Sequence, residues 1–230
     1  MKGTPARPIR SFVSPGSGMI INEVFYSIQG ESSYAGWPCA FIRLSGCDLR
    51  CSYCDTQYAF NEGSEMSIPE ILRTIAPFPT RLALITGGEP LLQSSVHDLF
   101  RSLLDLGYTV CVETGGHVTL KAVDPRVHKI MDLKCPSSGM SARNHYENLQ
   151  YLTSGDELKF VVGGREDFEW ACARIREFDL TSRVGTVLIS PVHERMAYDR
   201  LARWVLESGL RVRLQLQIHK IIWPDAVRGV

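Results

Sequence analysis

Short apolar runs alternate along the chain with longer segments whose apolar residues recur every three or four positions. Residues 82–85 are continuously apolar, as expected of a strand that is buried on both faces of a parallel sheet. Residues 68–75 carry isoleucine and leucine at helical spacing, and Ser67 with Glu70 has the sequence of a capping box. Residues 211–217 alternate strictly between apolar and polar side chains, which predicts a half-exposed strand.

The same pattern over the whole chain predicts a mostly parallel α/β sheet. Strands are predicted at 20–28, 38–44, 82–85, 108–112, 127–133, 157–162, 186–189 and 211–217, and helices at 68–75, 96–106, 141–152, 166–178 and 194–207. Such alternation gives parallel strands joined by right-handed crossovers. A closed barrel of eight units needs about 250 residues. We therefore expect a partial, open βα barrel that forms one domain over residues 19–230.

Composition and charge argue against several classes of protein. The 230 residues carry no formal net charge and the sequence pI is about 7.0, which argues against binding to nucleic acid or to a membrane surface. No run approaches the roughly eighteen apolar residues of a membrane span. Residues 1–18 lack the apolar segment of a secretory signal and are expected to form a flexible extension. The seven cysteines, an odd number, fit a reducing cytoplasm better than a disulfide scaffold.

Three of the cysteines form the most specific motif in the sequence, Cys47-x3-Cys51-x2-Cys54. Three thiolates on one short loop can converge on a single iron–sulfur cluster. A [4Fe–4S] cluster held in this way keeps one iron open for a substrate or cofactor. The alternatives are a zinc site that borrows a remote fourth ligand, or plain core cysteines. Because no second Cys-x2-Cys or paired histidine supplies that ligand, the motif favours the iron–sulfur cluster.

Polar turns that contain glycine follow several predicted strands, at the ends where parallel α/β folds place their chemistry. Residues 86–90 read Thr-Gly-Gly-Glu-Pro and place backbone groups beside a carboxylate. That combination suits a ligand with both an ammonium and a carboxylate group, although glycines also end strands for steric reasons alone. In the next such turn, Glu113 is either an acceptor for ribose hydroxyls or a solvated residue.

Residues around the cysteine motif have two possible roles each. Arg43 is either an edge residue that reaches water or a ligand for an anion. Asp55 and Thr56 either offer hard oxygen atoms to Mg²⁺ or cap the loop. His219 follows a predicted exposed strand, where a lone histidine is more often structural. The other four cysteines fall on predicted strands or helices and are expected in the core: Cys39, Cys111, Cys135 and Cys172.

From about residue 20 onward, the sequence resembles the 7-carboxy-7-deazaguanine synthases, which are radical S-adenosylmethionine (SAM) enzymes of the queuosine pathway. Besides the cysteine motif, the resemblance rests on residues 28–31 (Ile-Gln-Gly-Glu), 41–46 (Phe-Ile-Arg-Leu-Ser-Gly), 85–90 (Ile-Thr-Gly-Gly-Glu-Pro), 113–115 (Glu-Thr-Gly) and 217–220 (Gln-Ile-His-Lys). The cysteine spacing and the Gly-Gly-Glu-Pro turn recur in many radical SAM enzymes. The Gln-Gly-Glu stretch, Arg43 and the sequence Cys-Asp-Thr are more particular to this family.

The resemblance implies a ring contraction of 6-carboxy-5,6,7,8-tetrahydropterin to 7-carboxy-7-deazaguanine with loss of ammonia, started by reductive cleavage of SAM. It implies a [4Fe–4S] cluster, SAM and Mg²⁺ as cofactors, a homodimer, and an electron donor such as flavodoxin or ferredoxin. Carried over by position, it assigns the cluster to Cys47, Cys51 and Cys54, Mg²⁺ to Thr56, SAM to Gly88, Glu113, Asp132, Leu133 and Lys134, and the substrate to Ile28, Gln29, Gly30, Arg43, Thr86 and His219.

Two departures from the family pattern affect the predicted site. The segment 132–134 reads Asp-Leu-Lys where Ser-Pro-Lys is common, and Ser32 follows Glu31 where a glycine is common. Two other functions share part of the pattern. An activase that places a glycyl radical on a protein partner has the same cysteine motif, but it does not turn over a free pterin. A non-catalytic iron–sulfur or zinc protein would need no SAM.

Overall fold

The computed structural model describes residues 18–230, so the extension predicted for residues 1–18 lies outside the described residues except for Gly18. The described strands are β1 (Met19–Ile28), β2 (Pro38–Leu44), β3 (Ser64–Met66), β4 (Leu82–Gly87), β5 (Thr109–Thr114), β6 (His128–Asp132), β7 (Glu157–Val162), β8 (Thr186–Pro191) and β9 (Arg213–Leu214). The α-helices are α1 (Ile68–Ile75), α2 (Val96–Asp105), α3 (Arg165–Glu177), α4 (Leu180–Arg183), α5 (Tyr198–Ser208) and α6 (Ile218–Ile222). Over these residues, no helix has the length and apolar character that crossing a membrane requires.

All nine strands belong to one sheet, in the order β3-β1-β2-β4-β5-β6-β7-β8-β9. Strand β2 and strands β4 to β9 run parallel, whereas β1 pairs antiparallel with both β2 and β3. The order is linear, so over residues 18–230 the sheet is open rather than a closed barrel. The predicted fold class, an open and mostly parallel α/β barrel, is confirmed.

Successive strand residues point to opposite faces of the sheet and build two apolar layers. One set, which includes Ile42, Ile85 and Val112, packs with α1, α2 and α3 in the main core. The other set lies on the inner face and forms a smaller cluster of Cys39, Phe41, Leu82, Leu84, Cys111 and Ile130. The four cysteines outside the motif are all buried, as predicted. Polar residues continue the inner face toward the carboxyl ends of the strands, which places the candidate site there.

The loop between β1 and β2 reaches across to the far side of the sheet. The backbone N–H of Ser33 donates to Oε1 of Glu157 at 2.8 Å, at the start of β7. Arg213 of β9 donates to the carbonyl of Ser32. This loop therefore connects the β1–β2 edge of the open barrel with its β7–β9 edge and encloses the inner face between them.

The helix predicted at 141–152 is wrong, because this segment forms two short 3₁₀ helices, Ser141–Arg143 and Tyr146–Tyr151. Two asparagine side chains hold it to other loops. Asn144 binds the backbone of Lys134 through both its oxygen and its nitrogen. Asn148 accepts from the N–H of Leu120 and donates to two further carbonyls. Such side-chain contacts with the backbone compete with a regular helix.

The predicted boundaries near the carboxyl end also need correction. The helix expected from residue 194 begins only at Tyr198, because Glu194 has a φ of 62°, which a helix does not allow. The strand expected at 211–217 is reduced to β9, since only Arg213 and Leu214 align with β8. Strand β3 was not predicted: its three residues, Ser-Glu-Met, carry little strand propensity, and pairing with β1 decides their structure.

Two leucines of the α2 region allow a test of the main core. Leu99 is fully buried, and Leu106, at the end of α2, is 56% exposed. We expect Leu99→Ala to lower the free energy of unfolding by about 2–5 kcal/mol, because it leaves a cavity in the core. Leu106→Ala should change it by no more than about 0.5 kcal/mol. Urea unfolding of both variants checks this, and equal losses would contradict the packing described here.

Candidate active site

A cavity of about 440 Å³ lies at the carboxyl ends of the parallel strands. All but one of the residues that the sequence assigned to cofactors or substrate line it: Cys47, Cys51, Cys54, Thr56, Gly88, Glu113, Asp132, Lys134, Ile28, Gln29, Gly30, Arg43, Thr86 and His219. Leu133 is the exception, because its side chain is packed in the main core. Leu133 can therefore meet a ligand in this cavity only through its backbone.

The three motif cysteines lie on the loop after β2, and their side chains are only partly buried. Burial raises the pKa of Cys47 to about 11 and also raises the pKa of Cys51, so metal binding must displace protons from these thiols. Within residues 18–230, no group of three or more His, Cys, Asp or Glu side chains is arranged to hold a single metal ion. Three soft thiols around one space are the donor set of an iron–sulfur cluster. The residues present therefore fit such a cluster.

The turn after β4 packs directly against the cysteine loop. The N–H of Gly88 donates to the carbonyl of Leu44 at 3.0 Å, and the N–H of Glu89 donates to the carbonyl of Gly46 at 2.7 Å. A Cβ atom on Gly88 would lie 2.1 Å from that Gly46 oxygen. Only glycine fits at such a distance, so this turn and the loop of the candidate cluster ligands form one backbone unit.

The carboxylate of Glu89 is fully buried and joins the turns after β4 and β5. It accepts from the hydroxyl of Thr114 at 2.9 Å and from the N–H of Gly115 at 2.7 Å. It also accepts from the N–H of Leu91 at 3.1 Å. Burial raises the pKa of Glu89. The carboxylate that the sequence places beside this turn, that of Glu89, is thus hydrogen-bonded to donors of the protein itself and stabilises the turn.

His117 extends this network back to the cysteine loop. Its Nε2 pairs with the carboxylate of Asp48, and its Nδ1 lies 3.6 Å from Oε2 of Glu89. Arg143 donates to the other oxygen of Asp48 at 2.8 Å. Because Asp48 directly follows Cys47, these contacts hold the first candidate cluster ligand in place relative to the two turns.

Charged side chains pair along the inner wall of the cavity. Lys159 Nζ lies 2.9 Å from Glu31 and 3.7 Å from Asp132, and Lys134 Nζ lies 2.6 Å from Asp132. Gln217 donates to the second oxygen of Glu31 at 2.6 Å. Burial by itself would raise the pKa of Asp132, but the two lysines lower it below its ordinary value. Burial would lower the pKa of Lys159, but its carboxylate neighbours raise it well above its ordinary value.

Glu113 and Thr86 face the same space from β5 and β4. The hydroxyl of Thr86 donates to Oε2 of Glu113 at 3.0 Å. Burial raises the pKa of Glu113, Lys159 opposes this shift, and Glu31 adds to it. Glu113 is therefore a half-buried carboxyl group with a raised pKa at the cavity wall, and not a solvated residue. Its role as an acceptor for ribose hydroxyls stays a prediction.

Arg43 points into the cavity rather than to water, because its side chain is only 12% exposed. Its Nε donates to Oε1 of Glu23 at 2.7 Å. A buried guanidinium beside an open cavity is a binding group for a planar anion. The alternative in which Arg43 reaches water is thus wrong, and its role as a ligand for an anion stays a prediction.

Helix α6 packs His219 against the loop after β1. A Cβ atom on Gly30 would lie 1.8 Å from Nδ1 of His219, and the N–H of Ile218 donates to the Gly30 carbonyl at 3.1 Å. Burial lowers the pKa of His219. His219 therefore lies in a helix beside the predicted substrate segment, and not after an exposed strand as the sequence indicated.

Asp55 and Thr56 differ in the partners that they already have. Asp55 is paired with Lys220 Nζ at 2.5 Å. Thr56 precedes a 3₁₀ helix (Gln57–Phe60) and makes no side-chain capping hydrogen bond to it. The hydroxyl of Thr56 lies 3.8 Å from the sulfur of Cys54. Thr56 therefore does not cap this helix through its side chain, and its assignment to Mg²⁺ stays a prediction.

Several charged or polar residues in or beside this site were not predicted from the sequence: Glu23, Lys159, Gln217 and Lys220. Lys159 gave a usable signal, since a lysine inside the apolar run 157–162 has to find buried partners. Gln217 and Lys220 lie in one of the stretches that carry the family resemblance, yet their partners are distant in sequence. Glu23 gave no signal, because it looks like an ordinary polar position of a strand.

The sequence of this chain is similar to those of known proteins. Residues 41–195, more than half of the chain, match the radical SAM superfamily. A 7-carboxy-7-deazaguanine synthase of Chlorobaculum tepidum is 44% identical over 213 residues, which are 91% of this chain and 96% of the relative. This chain belongs to the 7-carboxy-7-deazaguanine synthase family. The same synthase of Koribacter versatilis is 43% identical and covers 92% of this chain and 100% of the relative.

Structural comparison supports the fold described above. A crystal structure of QueE from Escherichia coli matches with a TM-score of 0.71 at 24% identity, over 87% of this chain and 94% of that one; it shows a shared fold. The predicted family, enzyme class and queuosine-pathway function are confirmed. Family membership implies a [4Fe–4S] cluster and SAM, in agreement with the three-thiol donor set. The glycyl-radical activase is not favoured by these relatives.

The contact between Gly88 and Gly46 allows a test of the backbone unit. We expect Gly88→Ala to displace the cysteine loop, because its new Cβ would meet the Gly46 carbonyl at 2.1 Å. Iron content after reconstitution should fall severalfold. Gly164→Ala is the matched control, since Gly164 has open space around it and an extended backbone. Normal iron content in Gly88→Ala would contradict the close approach described here.

Proposed function

We propose that this chain converts 6-carboxy-5,6,7,8-tetrahydropterin to 7-carboxy-7-deazaguanine with loss of ammonia, using the cavity at the carboxyl ends of its strands. One observation carries the assignment to this cavity. Three partly buried thiols, the anion-binding group of Arg43 and a wall of paired charges face one space of about 440 Å³. Cofactors and a small substrate carboxylate could therefore meet there.

The residues that would bind the cluster and the residues that would bind SAM lie on two sides of the cavity. The cluster would be held by the thiolates of Cys47, Cys51 and Cys54. SAM would meet the turns and strand ends beside it, through Gly88, Glu113, Asp132, Lys134 and the backbone of Leu133. When bound, the cluster supplies the electron for reductive cleavage of SAM, which starts radical chemistry at the substrate. Glu113, as a carboxyl group with a raised pKa, can hydrogen-bond to ligand hydroxyls.

The substrate would lie against Arg43, Thr86 and the segment 28–30 (Ile-Gln-Gly). Arg43 would pair with its carboxylate through two N–H groups. His219 approaches from the other side of Gly30, and burial keeps its pKa low. A neutral imidazole at this position can both donate to and accept from the polar edge of a pterin. These groups together fix the orientation of a flat, polar ring.

Lys159 would set the electrostatic balance of this space. It lies between Glu31 and Asp132, with Glu113 nearby. Without its positive charge, three carboxyl groups would face the cavity and weaken the binding of an anionic substrate. Protein donors bind both oxygens of Glu31 and Oδ2 of Asp132, whereas Oδ1 of Asp132 has no hydrogen-bond partner among residues 18–230.

The remaining parts of the proposal go beyond what family membership implies. Thr56 would bind a Mg²⁺ ion that also contacts the substrate carboxylate. The chain would act as a homodimer of one domain over residues 19–230, in the cytoplasm. A small redox protein such as flavodoxin or ferredoxin would supply the electron. The absence of a charge excess, with a pI of about 7.0, supports a protein that needs neither nucleic acid nor a membrane surface.

Anaerobic reconstitution with iron and sulfide tests the proposal. The reconstituted protein is given SAM, Mg²⁺, a reductant and the carboxypterin, and the products are analysed by mass. We expect 7-carboxy-7-deazaguanine and ammonia. SAM cleavage without conversion of the pterin, or turnover only with a protein partner, would contradict the proposed substrate.

We expect replacement of any one of Cys47, Cys51 and Cys54 by Ala to abolish SAM cleavage and to lower iron content sharply, since each thiolate is one of only three cluster ligands. Cys111→Ala and Cys172→Ala are the matched controls, because both thiols are buried and neither lines the cavity. Iron analysis and SAM cleavage assays check all five variants. Loss of iron from either control would contradict a three-cysteine site.

Thr56 allows a test of the Mg²⁺ assignment. We expect Thr56→Ala to lower Mg²⁺-dependent turnover at least tenfold, because Mg²⁺ takes few protein ligands and one of them would be lost. Iron content and SAM affinity should stay unchanged. Thr56→Ser keeps the hydroxyl and should retain most of the activity.

Two outcomes would contradict this assignment. If Thr56→Ala loses iron and SAM affinity together, Thr56 supports the cluster loop instead. If the wild-type protein turns over equally well without Mg²⁺, no metal acts at this position.

A further inference from the structure

The side chain of Glu23 points to the inner face of the sheet because β1 contains a bulge. The strand pairs Ile21 with Leu44 and then Glu23 with Arg43, so its register shifts by one residue between these pairs. In a regular strand, Ile21 and Glu23 would point to the same face. Here Ile21 packs in the main core, whereas Glu23 lies opposite Arg43 on the inner face. Such a bulge re-aims one side chain, and it does so here beside the candidate substrate site.

The carboxylate of Glu23 joins three separate parts of the chain. Its Oε1 accepts from Nε of Arg43 at 2.7 Å and from the hydroxyl of Tyr58 at 3.1 Å. Its Oε2 accepts from the N–H of Gly229 at 3.2 Å. Glu23 is only 17% exposed and is not among the residues that line the cavity. It therefore lies behind Arg43 and holds the guanidinium from the side away from the ligand space.

Within residues 18–230, the contact with Glu23 is the one hydrogen bond that the Arg43 side chain makes. It uses Nε and leaves both terminal nitrogens for a ligand. The rings of Phe25 and Tyr58 lie within 6.0 Å of the guanidinium carbon and confine it further. A planar carboxylate is bound best by a guanidinium that is already held in one orientation.

We propose that Glu23 is a positioning residue, which fixes Arg43 so that its two free terminal nitrogens meet the carboxylate of the substrate. The proposal rests on the substrate role of Arg43 given above and adds a residue that itself touches no ligand. Tyr58 and the segment 228–230 complete the support, since Arg228 stacks on the Tyr58 ring at 4.2 Å and pairs with Glu62.

Glu23 has two opposite effects on the binding of an anionic substrate, and the substitution Glu23→Asp separates them. Its negative charge repels an anionic substrate, whereas its contact with Nε orients Arg43. Glu23→Asp keeps the charge but withdraws the carboxylate by one methylene group, so it removes mainly the orientation. We expect Glu23→Asp to weaken the binding of the carboxypterin roughly 10- to 100-fold, as for the loss of a hydrogen bond to a charged group.

The measurement is the Kd of the carboxypterin for the reconstituted, SAM-bound protein, by anaerobic calorimetry. The same variant should bind SAM, and a tetrahydropterin that lacks the 6-carboxylate, as the wild type does. Glu62→Asp is the matched control, because Glu62 pairs with Arg228 but makes no contact with Arg43. It should leave all three affinities unchanged. Iron content and the melting temperature of each variant establish that it is folded.

A second pair of variants tests the coupling. Arg43→Met should weaken the binding of the carboxypterin, and Glu23→Asp should add nothing in that background, because the guanidinium that Glu23 positions has gone. If Arg43→Met alone leaves the affinity unchanged, the substrate role of Arg43 fails and this proposal fails with it. If Arg43→Met weakens binding but Glu23→Asp does not, only the positioning role is wrong.

Three further results would overturn the positioning role. Glu23→Asp could weaken the carboxypterin and the carboxylate-free pterin equally, which would indicate a general change of the cavity. Glu62→Asp could weaken the carboxypterin as much as Glu23→Asp, which would assign the effect to the segment 228–230. Finally, Glu23→Gln could bind the carboxypterin more tightly while Glu23→Asp binds it with wild-type affinity, which would mean that Glu23 acts only as a negative charge that repels the substrate.

Discussion

The arrangement of the active site depends on one close approach between two backbones. The turn after β4 hydrogen-bonds to the cysteine loop through Gly88 and Glu89, at a distance that excludes any side chain on Gly88. Glu89 then binds the turn after β5 through its buried carboxylate. The candidate cluster ligands and the candidate SAM ligands are therefore held by the same short network of backbone donors and acceptors. A shift of one part would move the others.

Electrostatic pairing is the second constraint on this site. Lys159 and Glu31 are buried, and Asp132 and Glu113 beside them are half-buried. Buried charges of this kind are tolerated only when each one has a partner. The same principle explains the pairing of Arg43 with Glu23 behind the cavity wall. The open barrel can thus keep a polar interior because its charges are matched before any ligand binds.

Sequence reasoning was reliable where chemistry depends on residues that are close together along the chain. The cysteine spacing, the glycine-rich turns and the capping box at Ser67 are local patterns, and the structure contains all three. It was unreliable where distant partners decide a segment. Residues 141–152 contain two asparagines whose side chains bind other loops, so the expected helix does not form. The strand predicted at 211–217 is short because only two of its residues pair with β8.

The sequence by itself determined the family, the alternation of strands and helices, and a set of candidate site residues of which all but Leu133 line the cavity, because these follow from motifs and from periodicity. Only the tertiary structure decided how those residues are used. The side chain of Leu133 lies in the core, and the carboxylate of Glu89 binds the backbone of a neighbouring turn. A bulge in β1 turns Glu23 toward Arg43. The physical reason is that burial, register and charge pairing join residues far apart in sequence, and no local pattern encodes such partners.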